Sequence, residues 1–147
     1  MTESNVMKVM YDIFIRDIND YVSDAVENLD DKNIVVDFPS VDMMPKQTVI
    51  YLQQNYSDYD ALTVRTDNAS MHMSIFILCK KDKPTVLQDK VNALYDGIYT
   101  MLKTNPTLDG TITYTSIESF DYYPAVEANP NVKGAEISVN LVFEKEW

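Results

Sequence analysis

Residues 134–146, GAEISVNLVFEKE, alternate between two kinds of side chain. Ala135, Ile137, Val139, Leu141 and Phe143 fall on one side, and Glu136, Ser138, Asn140, Val142 and Glu144 on the other. Successive side chains of a strand point to opposite faces, so this run has one greasy face and one mostly polar face. The greasy face needs cover, and residues 84–105 provide it. There Leu87, Val91, Leu94, Ile98, Met101 and Leu102 recur at steps of three and four, the spacing of one helix stripe. Pro84 suits a first turn, where its missing N–H has no partner to lose. Asn105-Pro106 stops the helix, because the proline ring drives the residue before it out of the α region. Asp109-Gly110 supplies backbone freedom for a reversal, and residues 111–123 read as another strand. A helix laid across one side of an antiparallel sheet buries both apolar surfaces.

Upstream, residues 5–29 carry a broad apolar stripe from Val6 and Val9 through Ile13, Ile18, Val22 and Val26 to Leu29, which predicts a first helix. Ser4 is its expected N-cap, and Asp12 and Arg16, one turn apart, are an expected pair. A turn over residues 29–33 leads to a short strand over 34–38. Pro39 and Pro45 exclude a central strand from the segment that follows. Met43 and Met44 within it are either an adaptable contact surface or, the favoured reading, tucked under the sheet edge. Residues 47–55 predict a strand, and Asn55, Ser57, Asp58 and Asp60 predict a loop displaying Tyr56 and Tyr59. Residues 70–81 form a strand with Met71, Met73, Ile75, Ile77 and Cys79 on one face and His72, Ser74, Phe76 and Leu78 on the other. Such a strand is central, or has one face covered by another subunit. The order is α-β-β-β-α-β-β: an α+β fold with an antiparallel or mixed sheet and two main helices on one face. At 147 residues a single domain spanning 1–147 is expected.

Chemistry is sparse in this pattern. His72 lies inside an apolar strand, and its parity and separation put it on the opposite face from Cys79, so a Cys–His nucleophilic pair is not expected. P-loop, HExxH, paired-cysteine and glycine-rich dinucleotide patterns are missing. Asp17, Asp20 and Asp24, or Asp58, Asp60 and Asp67, offer carboxylates without the glycine and terminal glutamate of a calcium loop. No enzyme activity, metal or cofactor is expected. The lone cysteine permits no internal disulfide. No apolar run approaches the ~20 residues of a membrane span. The net charge of −11 argues against direct, sequence-specific nucleic-acid binding, which relies on neutralising phosphates. Acidity either keeps the chain soluble or lines a pore through which DNA passes without adhering. The basic cluster, Lys80, Lys81 and Lys83, reads as a solvated turn before the helix.

What remains is surface. Tyrosine offers large contact area with a polar tip and is favoured at interfaces. Tyr56, Tyr59, Tyr122 and Tyr123 fall at expected loops or strand ends, as do Asp60 and Val126, and these are the candidate contact residues. Two of the four tyrosines are alternatively caps on the sheet. Gly97, costly inside a helix by roughly 1 kcal/mol against alanine, either admits a neighbouring chain or is merely tolerated.

The helix from Leu87 to Leu102, the Leu108–Gly110 turn and the alternating final strand from Glu136 to Phe143 together resemble the C-terminal half of the tail-terminator (tail-completion) proteins of long-tailed bacteriophages. The resemblance covers about half the chain and extends to related head–tail neck proteins. It implies a structural virion subunit, assembled in the host cytoplasm, that closes into a hexameric ring. Such a ring caps the tail tube, ends tube growth and receives the head connector. The reading from another class is a small-molecule or peptide-binding α+β module without catalysis, marked by a deep apolar pocket along the strand from Met71 to Cys79.

Overall fold

The computed structural model describes residues 1–147. Helix α1 (Glu3–Tyr21) is followed by a short 3-10 turn (Asp31–Asn33), strands β1 (Ile34–Val35), β2 (Thr48–Ala61) and β3 (Thr66–Lys80), helix α2 (Pro84–Thr104), and strands β4 (Tyr114–Tyr123) and β5 (Val132–Glu146). The five strands form one sheet in the order β1-β2-β3-β5-β4. β1 runs parallel to β2, and every other pairing is antiparallel, so the sheet is mixed. The fold is the α+β arrangement in the order α-β-β-β-α-β-β.

The helix stripes and the alternation of β3 and β5 meet as expected. Val6, Met10, Phe14 and Ile18 of α1 and Leu87, Val91, Leu94 and Ile98 of α2 share one buried core with Met71, Met73, Ile75 and Ile77 of β3 and Ile137, Val139 and Leu141 of β5. Both helices therefore lie on one face. A smaller cluster of Met44, Val49, Tyr51 and Leu78 occupies part of the other face. The rest of that face, from Ser70, His72 and Ser74 to Glu136, Ser138 and Asn140, is polar and, apart from the buried Ser74, only partly shielded.

Three local readings need correction. α1 stops at Tyr21, well short of Leu29, although Val26 and Leu29 still reach the core. Asn19 ends it: its side-chain amide donates to the Leu29 carbonyl at 2.8 Å and its oxygen accepts from the Leu29 N–H at 2.9 Å. The following segment is thus folded back on the helix, and side chains such as Ser23 and Asp24 favour such non-helical local bonding. At the other end Thr2, one turn ahead of Asn5, is the cap, with Asn5 completing a reciprocal capping box. The segment expected as a loop at residues 55–60 is strand. Paired with β3 out to Ala61, β2 overrides the low strand preference of Asn55, Ser57, Asp58 and Asp60. Its register slips between Gln54 and Tyr56, leaving Asn55 as an extra bulged residue.

The two methionines divide: Met44 is buried in the smaller cluster, while Met43 is exposed.

Candidate assembly surfaces

Strand order leaves two sheet edges without a partner strand. β1 covers β2 only at Ile50 and Tyr51, so β2 from Leu52 to Ala61 presents an open backbone edge. β4 closes the opposite side of the sheet and has no outer neighbour. Such rows of unpaired N–H and C=O groups are templates for another chain. Acidic side chains stand on both, Asp58 and Asp60 on β2 and Glu118 and Asp121 on β4.

The Asn55 bulge decides what the β2 edge displays. Asn55 donates across to the Ser74 hydroxyl at 3.0 Å. Past the bulge, Tyr56 and Asp58 turn to the open face beside His72 and Ser70. Tyr56 stacks on the His72 imidazole with centroids 4.4 Å apart, and Asp58 Oδ2 lies 3.3 Å from His72 Nε2. Cys79 is buried on the helix side of the same strand, where burial pushes its thiol up to about 12. The two reactive-type side chains are therefore on opposite faces, and Cys79 stays a thiol. No group of three or more His, Cys, Asp or Glu residues is placed to hold a metal ion.

Tyr59, by contrast, faces the helices. Its hydroxyl donates to the Glu3 carboxylate, which also takes the Lys145 ammonium at 2.7 Å, and that ammonium stands 5.3 Å from the Tyr59 ring centre. Burial works to raise the Glu3 carboxyl, but the bonds from Lys145 and Tyr59 outweigh it and hold it below the usual range. This triad ties the start of α1 to β2 and β5. Asp60 is exposed opposite Asn68 near the end of the hairpin.

The tyrosines of β4 divide in the same way. Tyr122 packs against the main core, where burial raises its phenol. Tyr123 faces the other side; its hydroxyl donates to Glu136 Oε1 at 2.8 Å, and burial together with the Glu136 carboxylate pushes it up to about 12. The other Glu136 oxygen accepts from the Ser74 hydroxyl at 2.9 Å, so a polar relay crosses the sheet from Asn55 to Tyr123. Val126, in the β4–β5 connection, rests on the smaller cluster. With Phe76, Leu78, Tyr123 and Pro39 it lines a shallow apolar pocket of about 260 Å³. The strand face from Met71 to Cys79 lines no such pocket, because both helices fill it.

Gly97 is buried within the chain. A Cβ there would meet Val22 Cγ1 at 2.9 Å and the Tyr21 carbonyl oxygen at 3.1 Å, so the chain it admits is its own α1. Arg16 pairs with Asp17 at 2.7 Å and with Asp109 at 2.6 Å, and not with Asp12.

Two surface features escaped the sequence reading. A groove of about 1010 Å³ runs between α1 and the open β2 edge, lined by Met7, Tyr11, Ile34, Val36, Phe38 and Leu52 among others. At the far end of β2, the hairpin tip exposes Leu62 and Val64 beside Trp147. The only signal for the tip was apolar Leu62 and Val64 set among polar neighbours.

A mixed sheet with two helices on one face and two open edges defines a small α+β domain. The fold is similar to that of the sheath/tube terminator of an extracellular contractile injection system, PVC, in its extended state, with a TM-score of 0.59. Sequence identity is 14%, and the likeness covers 100% of this chain and 58% of the other. This chain thus spans less than two thirds of that neighbour's length. No protein-family model matches the chain, and no relative is found among curated proteins. No helix is long and apolar enough to cross a membrane.

Proposed function

We propose that this chain is a structural, non-catalytic subunit of a phage or phage-derived tail, acting as a tail terminator or a closely related neck protein. Copies associate into a ring, six in number by the family resemblance, that caps the tail tube and halts its growth. The opposite face of the ring receives the head connector, and the acidic balance lets DNA pass through without adhering. The particle itself is then where the protein resides. The observation that carries this reading is the shared fold with a sheath/tube terminator, supported by two unpaired sheet edges on one subunit. Two different edges suit heterologous contacts, which close into a ring when the rotation per subunit permits.

Native mass spectrometry across a concentration series, with and without purified tail tubes, tests it. A single closed oligomer, formed alone or on tubes, is expected. A monomer under every condition sinks the proposal. The groove beside the open β2 edge gives the peptide-binding reading one foothold, since an extended peptide adds readily to a free strand edge. Under that reading the protein stays monomeric and protects β2 amides from exchange only when peptide is added.

A further inference from the structure

The hairpin tip between β2 and β3 is apolar where a solvated turn needs no apolar residue. Leu62 is 53% exposed, Val64 88% and Trp147 85%. Trp147 is pinned there: its backbone N–H donates to the Arg65 carbonyl at 3.1 Å, and its indole N–H to the Val64 carbonyl at 3.1 Å. A large aromatic held in place but left in water is the form a binding anchor takes, because the ordering cost is met before contact. The tip is flanked by Asp60, Asp67 and Glu146 and by two cations, Arg65 and Lys145, the second already held by Glu3.

The groove beside the middle of β2 has the converse shape, and its two charges, Lys8 and Asp37, are of opposite sign. Met7, Tyr11, Val36 and Phe38 make its apolar walls, and Phe38 is 70% exposed. Lys8 and Asp37 stand in its lining. Lys8, Asp37 and Arg65 belong to none of the ion pairs within the chain. The groove meets β2 at Leu52–Gln54 and the tip follows Ala61, roughly 30 Å further along the strand at the usual rise per residue, and the tip stands outside the groove of its own chain.

We propose that the Leu62–Val64–Trp147 tip of one copy seats in the groove lined by Met7, Tyr11, Val36 and Phe38 of the next. Lys8 then meets the acids around the tip, and Asp37 meets Arg65. Because the two surfaces differ, the contact is head-to-tail and propagates around a ring. The tip side chains alone bury less than the ~1,200 Å² of a stable pair, so a closed ring, in which every copy makes two contacts, is far more stable than an open dimer. This contact rests on the ring reading of the previous subsection and names the partner surface within it.

The test uses Val64→Asp and Phe38→Asp, each at an exposed position, with melting temperature as the folding control. In sedimentation velocity both variants lose the wild-type oligomer. In a second arm, Val64→Cys and Phe38→Cys are oxidised separately and mixed; the native Cys79 is buried and does not compete. The mixture forms a disulfide-linked heterodimer at least tenfold faster than either variant self-links. Should either aspartate variant melt early, Arg65→Asp replaces Val64→Asp and Asp37→Lys replaces Phe38→Asp; each weakens assembly alone, and their mixture restores it. A wild-type oligomer unchanged in either variant, or cross-linking no faster in the mixture, overturns the contact and leaves the ring intact. A wild-type protein that is monomeric throughout, alone and with tubes, overturns both.

Discussion

Gly97 lies where α2 touches the end of α1, and the backbone of Tyr21 occupies the space a side chain would need. In an exposed helix, glycine to alanine gains roughly 1 kcal/mol. Here the added methyl presses on a carbonyl that cannot swing away, and overpacking of this kind costs typically 1–3 kcal/mol. Gly97→Ala is therefore expected to lower stability by about 1–2 kcal/mol in urea unfolding, the reverse of the helix-propensity sign. Glu3 is a second position where the neighbours decide. Its carboxyl is held below the ordinary value, so the folded state gains from its ionisation above the unfolded pKa of about 4.3. That gain is lost as pH falls through the lower, folded-state value. Glu3→Gln is expected to be less stable than wild type at pH 7, with the difference shrinking below about pH 4; thermal melts across pH 3–7 measure it.

The elements differ in how plainly the chain announces them. α2 and β5 were readable almost to the residue, because each has one apolar face with a single period, and the helix has punctuation at both ends in Pro84 and Asn105. The first half of β2 was readable from its run of β-branched and aromatic residues, Thr48 to Tyr51. Its second half was not. Asn55, Ser57, Asp58 and Asp60 are poor strand formers, and the slip at Asn55 breaks the alternation that would have revealed them. Only the register imposed by β3 makes that segment a strand. α1 erred the other way: Val22, Val26 and Leu29 continue the helical spacing past the true end, yet reach the core through a fold-back clamped by Asn19. The candidate surface suffered from the same misreading, since in a strand Tyr56 and Tyr59, three residues apart, point to opposite faces. Removing Asn55 should expose its weight. Asn55→Ala gives up one hydrogen bond and costs about 1 kcal/mol. Deleting the residue leaves Gln54 opposite Met73 and Tyr56 opposite His72 in an unbroken ladder, keeps every side chain from Tyr56 to Ala61 on its face, and is expected to cost little more than the alanine substitution in the same unfolding assay.

At the scale of the whole molecule, one layer of helices covers one sheet face and leaves both edges and much of the other face open. An exposed tip follows the end of β2 and an apolar groove lies beside its middle. In the proposed ring each feature has a partner, and such a ring on a tube end would have no free position from which growth continues. Acids on both strand edges oppose indiscriminate edge pairing, so the proposed ring depends on specific surfaces. Electron microscopy of a tube protein polymerising in the presence of this chain, tagged with gold, bears most directly on that role. Short tubes with label confined to one end are expected. Long tubes without label, or label scattered along their length, would contradict it.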